Sequence, residues 1–94
     1  MLEKVKLAMR ISTAAFDEEI TALIAAGLAD LGISDIDKDL LTEDNDDPLI
    51  LRAVITYCRM NFGSPADYDR LKISYREQKA QLNTNSDYTD WSDD

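Results

Sequence analysis

The acidic side chains are the first candidates for chemistry in this chain. Asp35, Asp37 and Asp39 alternate as the opening oxygen ligands of a calcium-binding loop do. The match then breaks. The sixth position of such a loop needs glycine for its sharp turn and is Leu40; the twelfth needs a bidentate glutamate and is Asp46. Residues 34–47 hold six aspartates and Glu43 against a single cation, Lys38, and read as a solvated acidic loop. The chain has no histidine, which removes the commonest general base and metal ligand. Its one cysteine, Cys58, falls on an apolar helical face and reads as a core residue, since a reactive thiol needs an exposed, electropositive setting. The three glycines are scattered and form no phosphate loop. No serine follows an aspartate with leucine after it, so the attachment triplet of an acyl carrier protein is missing. The expectation is a protein with no catalytic residue, no cofactor and no metal.

The elements around these residues read as helices. Leu2, Val5 and Met9 give a short apolar stripe, broken at Arg10 to Thr13, where Thr13 suits an N-cap. Phe16, Ile20, Leu23, Ile24, Leu28 and Leu31 share one face of a second helix. Asp17, Glu18 and Glu19 lie in its first turn, against the positive helix end, and Gly32 is placed to stop it. Ala25, Ala26, Gly27 and Ala29 make a slim surface that another helix can approach. The acidic loop follows, with one turn expected near Lys38 to Leu41.

Asp47-Pro48 then opens a third helix, an N-cap acid followed by a proline whose missing N–H costs nothing there. Leu49, Ile50, Ala53, Val54, Tyr57, Cys58 and Phe62 follow at helical spacing, and Leu51 and Ile55 add apolar groups off that stripe. A helix apolar around most of its circumference belongs at the centre of a core, or shared between core and a subunit contact. Gly63 ends it. Ser64-Pro65 reads as the start of a fourth helix, with Tyr68, Leu71, Tyr75 and Leu82 on one side and Arg70, Lys72, Arg76 and Lys79 making the rest basic. From Asn83 the chain turns polar and acidic, with Tyr88 and the sole tryptophan, Trp91, among Asp87, Asp90, Asp93 and Asp94. The expected architecture is all-α: a small bundle of about four helices over residues 1–82 and a flexible, disordered acidic tail over 83–94.

Composition limits the function classes. The chain has 94 residues, enough for one domain with a thin core that buries roughly 60–65% of the unfolded chain's surface. The formal net charge is −9, which argues against general nucleic-acid binding, because neutralising phosphates takes clustered Lys and Arg. The longest apolar run, Ala22 to Ala29, has eight residues, whereas a membrane span needs ~20. The N-terminal Leu2-Glu3-Lys4-Val5-Lys6 has no long apolar stretch after its lysines and is no secretory signal. With one cysteine there is no internal disulfide, so the chain is expected to be cytosolic where it is made.

Four stretches carry a resemblance. They are Leu2-Glu3-Lys4-Val5-Lys6-Leu7-Ala8-Met9-Arg10-Ile11, a short helix with an Arg-Ile step; the acid-led helix from Asp17 through Leu23-Ile24-Ala25-Ala26-Gly27; the Pro48-led helix from Asp47 to Tyr57, with Asn61-Phe62-Gly63 after it; and Tyr75 in a charged helix beyond that glycine. In this order they resemble the head–tail connector (adaptor) family of tailed bacteriophages. The resemblance implies a structural protein of the virion neck, made in the bacterial host cytoplasm. It implies a homo-oligomeric ring beneath the portal protein, extending the DNA channel and presenting a platform to the next neck or stopper protein. No bond is made or broken, and DNA passes without sequence-specific binding, which an acidic wall favours by repelling the strand. The family's C-terminal segment contributes to portal contact, which marks Tyr88 and Trp91. Side-by-side copies would meet through Leu51 and Ile55 and through Arg70, Lys72, Arg76 and Lys79 against a neighbour's acidic surface. The alternative from the residues alone is a small acidic regulatory module that occupies a basic site on a partner protein.

Overall fold

The computed structural model describes residues 1–34, 36–45 and 47–89. Among them the chain forms four α-helices: α1 (Leu2–Met9), α2 (Asp17–Ile33), α3 (Pro48–Asn61) and α4 (Tyr68–Asn83). Short 3-10 turns at Ala14–Phe16 and Lys38–Leu40 punctuate the connections. The result is the small all-α bundle that the apolar spacing implies.

α3 is its hub, packing most extensively on α4, then on α2 and α1. Ile50, Ala53, Val54 and Cys58 of α3 are fully buried. Val5 of α1, Ile20, Ile24, Leu28 and Leu31 of α2, and Leu71, Tyr75 and Leu82 of α4 close around them. Each large aliphatic side chain taken out of water contributes about 1.5–3 kcal/mol, offset by the entropy of ordering the chain. The thin core is therefore shared chiefly between α2 and α3, with α1 and α4 closing it. Gly27 explains how α2 comes so close to α3: a Cβ there would stand 3.1 Å from Tyr57 Cδ1. The slim surface read at residues 25–29 is thus split. Gly27 faces into the bundle, while Ala25, Ala26 and Ala29 face out.

α1 ends in a Schellman turn, with Arg10 left-handed at φ 60°, Ile11 N–H donating to Lys6 O at 2.9 Å and Arg10 N–H to Leu7 O at 3.1 Å. Lys6 buries its stem and places Nζ 2.7 Å from Asp17 Oδ1, pinning α1 to the start of α2.

Several boundaries differ from those the sequence implies. Thr13 does cap, accepting from Ala15 N–H at 3.1 Å, but it caps the 3-10 turn ahead of α2. That turn carries Phe16 off the α2 core stripe; it is exposed and meets Phe62 edge-on at 5.3 Å between centroids. Gly32 does not stop α2. The helix runs through it to Ile33, and Ser34 N–H closes the end on Asp30 O and Leu31 O. Ser64-Pro65 does not open α4, which starts at Tyr68 with no side-chain cap. Pro65 instead lines a concavity with Met9, Phe62 and Leu71. Gly63, left-handed at φ 68°, makes the reversal before it.

The change of character at Asn83 does not coincide with a loss of contact. Asn83 is the last residue of α4 and donates its side-chain amide to Ser34 O at 2.5 Å. Beyond it, Asp37 N–H donates to Tyr88 O at 2.8 Å, and Ile36 and Thr89 form an antiparallel bridge. Composition hides this because the ties are made by backbone and amide groups rather than by an apolar stripe. Residues 90–94 lie outside the described residues.

Candidate functional site

The polar side chains that sequence analysis singles out divide into internal braces and open surface. Asp47 caps α3 as its position requires: Oδ1 accepts from Leu49 N–H at 2.9 Å and Ile50 N–H at 3.2 Å. The same carboxylate accepts from the Tyr88 hydroxyl, at 2.9 Å on Oδ2 and 3.1 Å on Oδ1. That hydrogen bond, more than desolvation, raises the Tyr88 pKa above the usual tyrosine value. Tyr88 thus ties the C-terminal segment to the start of the central helix. Trp91, its companion in the sequence reading, lies outside the described residues.

A second brace joins α2 to α4. Asp30 Oδ2 accepts from Tyr75 hydroxyl at 2.6 Å and from Lys79 Nζ at 3.1 Å. Lys79 also sits 4.9 Å over the Tyr75 ring. Burial raises the Tyr75 pKa first, and the Asp30 hydrogen bond adds to it. Lys79, expected at a subunit contact, is therefore already engaged within its own chain.

The other expected contact residues sort by exposure. Arg70 is exposed and paired with Asp67 at 2.5 Å, an ion pair that water weakens. Lys72 and Arg76 are exposed and hold no ion pair among the described residues. Leu51 and Ile55 are half-buried, one side on the core and the other outward. Cys58 is buried, and desolvation pushes its thiol up to about 12, so it stays protonated at neutral pH.

The acidic loop uses its carboxylates locally. Asp37 Oδ1 accepts from Asp39 N–H at 2.9 Å and caps the 3-10 turn Lys38–Leu40. Asp35 and Asp46, two members of the calcium-loop comparison, lie outside the described residues. Among the described residues no three His, Cys, Asp or Glu side chains converge as a metal site needs. No helix among them is long and apolar enough to cross a membrane.

Sequence reasoning missed the large apolar groups left in water. Ile33 is 82% exposed, Leu7 79% and Ile73 58%. Ile73 carries a readable signal, standing off the Leu71, Tyr75 and Leu82 stripe among cations. Ile33 carries one too, an apolar residue one turn beyond the charge-free run from Ile20 to Ala29.

Fold and surface together define a small helical bundle whose polar groups cap and brace it and whose apolar and basic groups are offered outward. The chain belongs to the phage connector protein family, whose model matches residues 1–89. No curated protein and no solved structure matches the chain.

Proposed function

We propose that this protein is a structural head–tail connector of a tailed bacteriophage or prophage. Copies assemble as a ring beneath the portal protein, extend the DNA channel and attach the next neck or stopper protein. The observation that carries this reading is the family match along residues 1–89, nearly the whole chain. Three physical features support it. The core is thin, so association adds burial that the monomer lacks. The net charge of −9 suits a channel wall that lets DNA slide without holding it. The outward residues include half-buried Leu51 and Ile55 and the cations Arg70, Lys72 and Arg76. In this reading Tyr88 and Trp91 supply aromatic contacts to the portal, Tyr88 through its ring because Asp47 holds its hydroxyl. Lys79 contributes to the subunit contact by fixing the α2–α4 brace. The role makes and breaks no bond.

Co-elution in size exclusion with the assembled portal of the same phage tests the proposal. A shift of this chain into the portal fraction, saturating at a fixed ratio, supports it. A chain that elutes alone beside an intact portal contradicts it. Charge reversal at Arg70, Lys72, Arg76 and Lys79 together is expected to weaken assembly; unchanged assembly removes these residues from the interface.

A further inference from the structure

The outward face of α2 is apolar. Ala22, Ala25, Ala26 and Ala29 are exposed and lead to Ile33, which is 82% exposed. Beside this face runs a shallow groove of about 640 Å³, lined by Leu28, Gly32, Ile33 and Leu41 and bordered by Lys38 and Glu43. With one cation and one acid at the border, charge does not choose what fills it. Position does.

The C-terminal segment arrives at one end of this groove. Asn83 donates to Ser34 O, Asp37 N–H donates to Tyr88 O, and Thr89 pairs antiparallel with Ile36. At Thr89, the last described residue, the chain therefore runs back toward the end of α2. The sole tryptophan, Trp91, follows two residues on. Antiparallel chains step in opposite directions, so the same register carried on would set position 91 opposite Ser34, next to Ile33. The reach needed is about 7 Å for two extended residues. Ile73, another large apolar group left in water, lies roughly 15 Å back along α4 from Asn83, beyond that reach.

We propose that Trp91 docks in the α2 groove of its own chain, with its ring against Ile33 and Leu41. The ring is the largest apolar group the segment has, and an aromatic of this kind buries roughly 150–250 Å². The Tyr88 hydroxyl on Asp47 anchors the segment just before it, which shortens the loop that docking must close. Charge opposes the contact: Asp90, Asp93 and Asp94 come near Asp37, Asp39 and Glu43. Salt screens that repulsion, so the docked state should gain from added salt. The assignment concerns the isolated chain and goes beyond the connector reading without resting on it. In that reading the groove and the portal are alternative sites for Trp91.

Trp91 is its own reporter, since it is the only tryptophan in the full chain. Docking covers one face of the ring, so acrylamide quenching should fall to roughly half that of the urea-unfolded chain, with blue-shifted emission. Ile33→Ser, at an exposed position, should restore the quenching of the unfolded chain while circular dichroism shows the helices unchanged. Ile73→Ser should leave the protection as it is. Added salt should deepen it. Free quenching in the folded chain, protection that survives Ile33→Ser, or protection lost on adding salt overturns the proposal. Protection that grows with protein concentration also overturns it, by assigning the groove to the tryptophan of a second copy. The portal takes no part in this experiment, so a failure here leaves the connector reading to its own test of co-elution.

Discussion

The starts of α3 and α4 are held by different forces. At α3, Asp47 satisfies two free backbone N–H groups and receives the Tyr88 hydroxyl, so a single carboxylate fixes a helix end and a distant segment. At α4 no side chain caps the first turn; Asp67 is turned to Arg70, and Pro65 stands outside the helix, beside an open concavity. A proline near a helix start therefore has two uses. It is the first helical residue where an acid can reach the exposed donors, and it stays outside the helix where the chain must first turn, as it does at Gly63. The same division runs along both helices: α3 is fixed on nearly all sides, while α4 leaves an outward face open.

The largest effect expected from this contrast is in the core. Ile50→Ala, in the first turn of α3 and fully buried, should destabilise by about 2–5 kcal/mol in denaturant titration. Ile73→Ala on the open face of α4 should stay within about 0.5 kcal/mol in the isolated chain. If the two cost the same, the division is wrong.

Alkaline pH sharpens it next. Cys58 is raised from 9.0 to about 12 by burial, and Tyr57, Tyr75 and Tyr88 are all raised from 10.0. Each group holds its proton more tightly folded than unfolded. The stability this gives is complete below the unfolded value and is lost as pH rises through the folded one. Thermal midpoints should be level near neutrality and fall once pH passes about 9, the unfolded cysteine value. In Cys58→Ala the fall should begin closer to the tyrosine range; an unchanged onset would assign it to other groups.

Caps come next in size. Asp47→Ala should cost about 1–2 kcal/mol and Tyr88→Phe about 0.5–1.5 kcal/mol. Their double variant should cost less than the sum, since they share one hydrogen bond. Strict additivity in a double-mutant cycle would contradict that contact. Smallest of all, Ser64→Ala should lie within about 0.5 kcal/mol of the parent chain, because Ser64 caps nothing. A loss near 1 kcal/mol, roughly that of an N-cap, would move the start of α4 back to Pro65.

What the sequence makes legible follows from range. The α3 start depends on Asp47 and its next three residues, so local chemistry reveals it. The core stripes of α2 and α4 are likewise periodic within one segment. Gly32 misleads because glycine permits a helix stop without imposing one, and α2 closes on Ser34 instead. Ser64-Pro65 misleads because the pair permits a helix start without imposing one, and the chain runs on to Tyr68 before α4 begins. Tyr88 stands out as an aromatic among acids, but its partner lies 41 residues away and no local pattern points there. The α2 groove needs the 38–43 turn brought beside the helix, so sequence shows its alanines without showing what they border.

Electron microscopy of this chain bound to the assembled portal of the same phage tests the central claim most directly. The account predicts a closed ring of copies seated on the narrow end of the portal, coaxial with the DNA channel. Single copies scattered on the portal surface, or no bound density beside an intact portal, would contradict it.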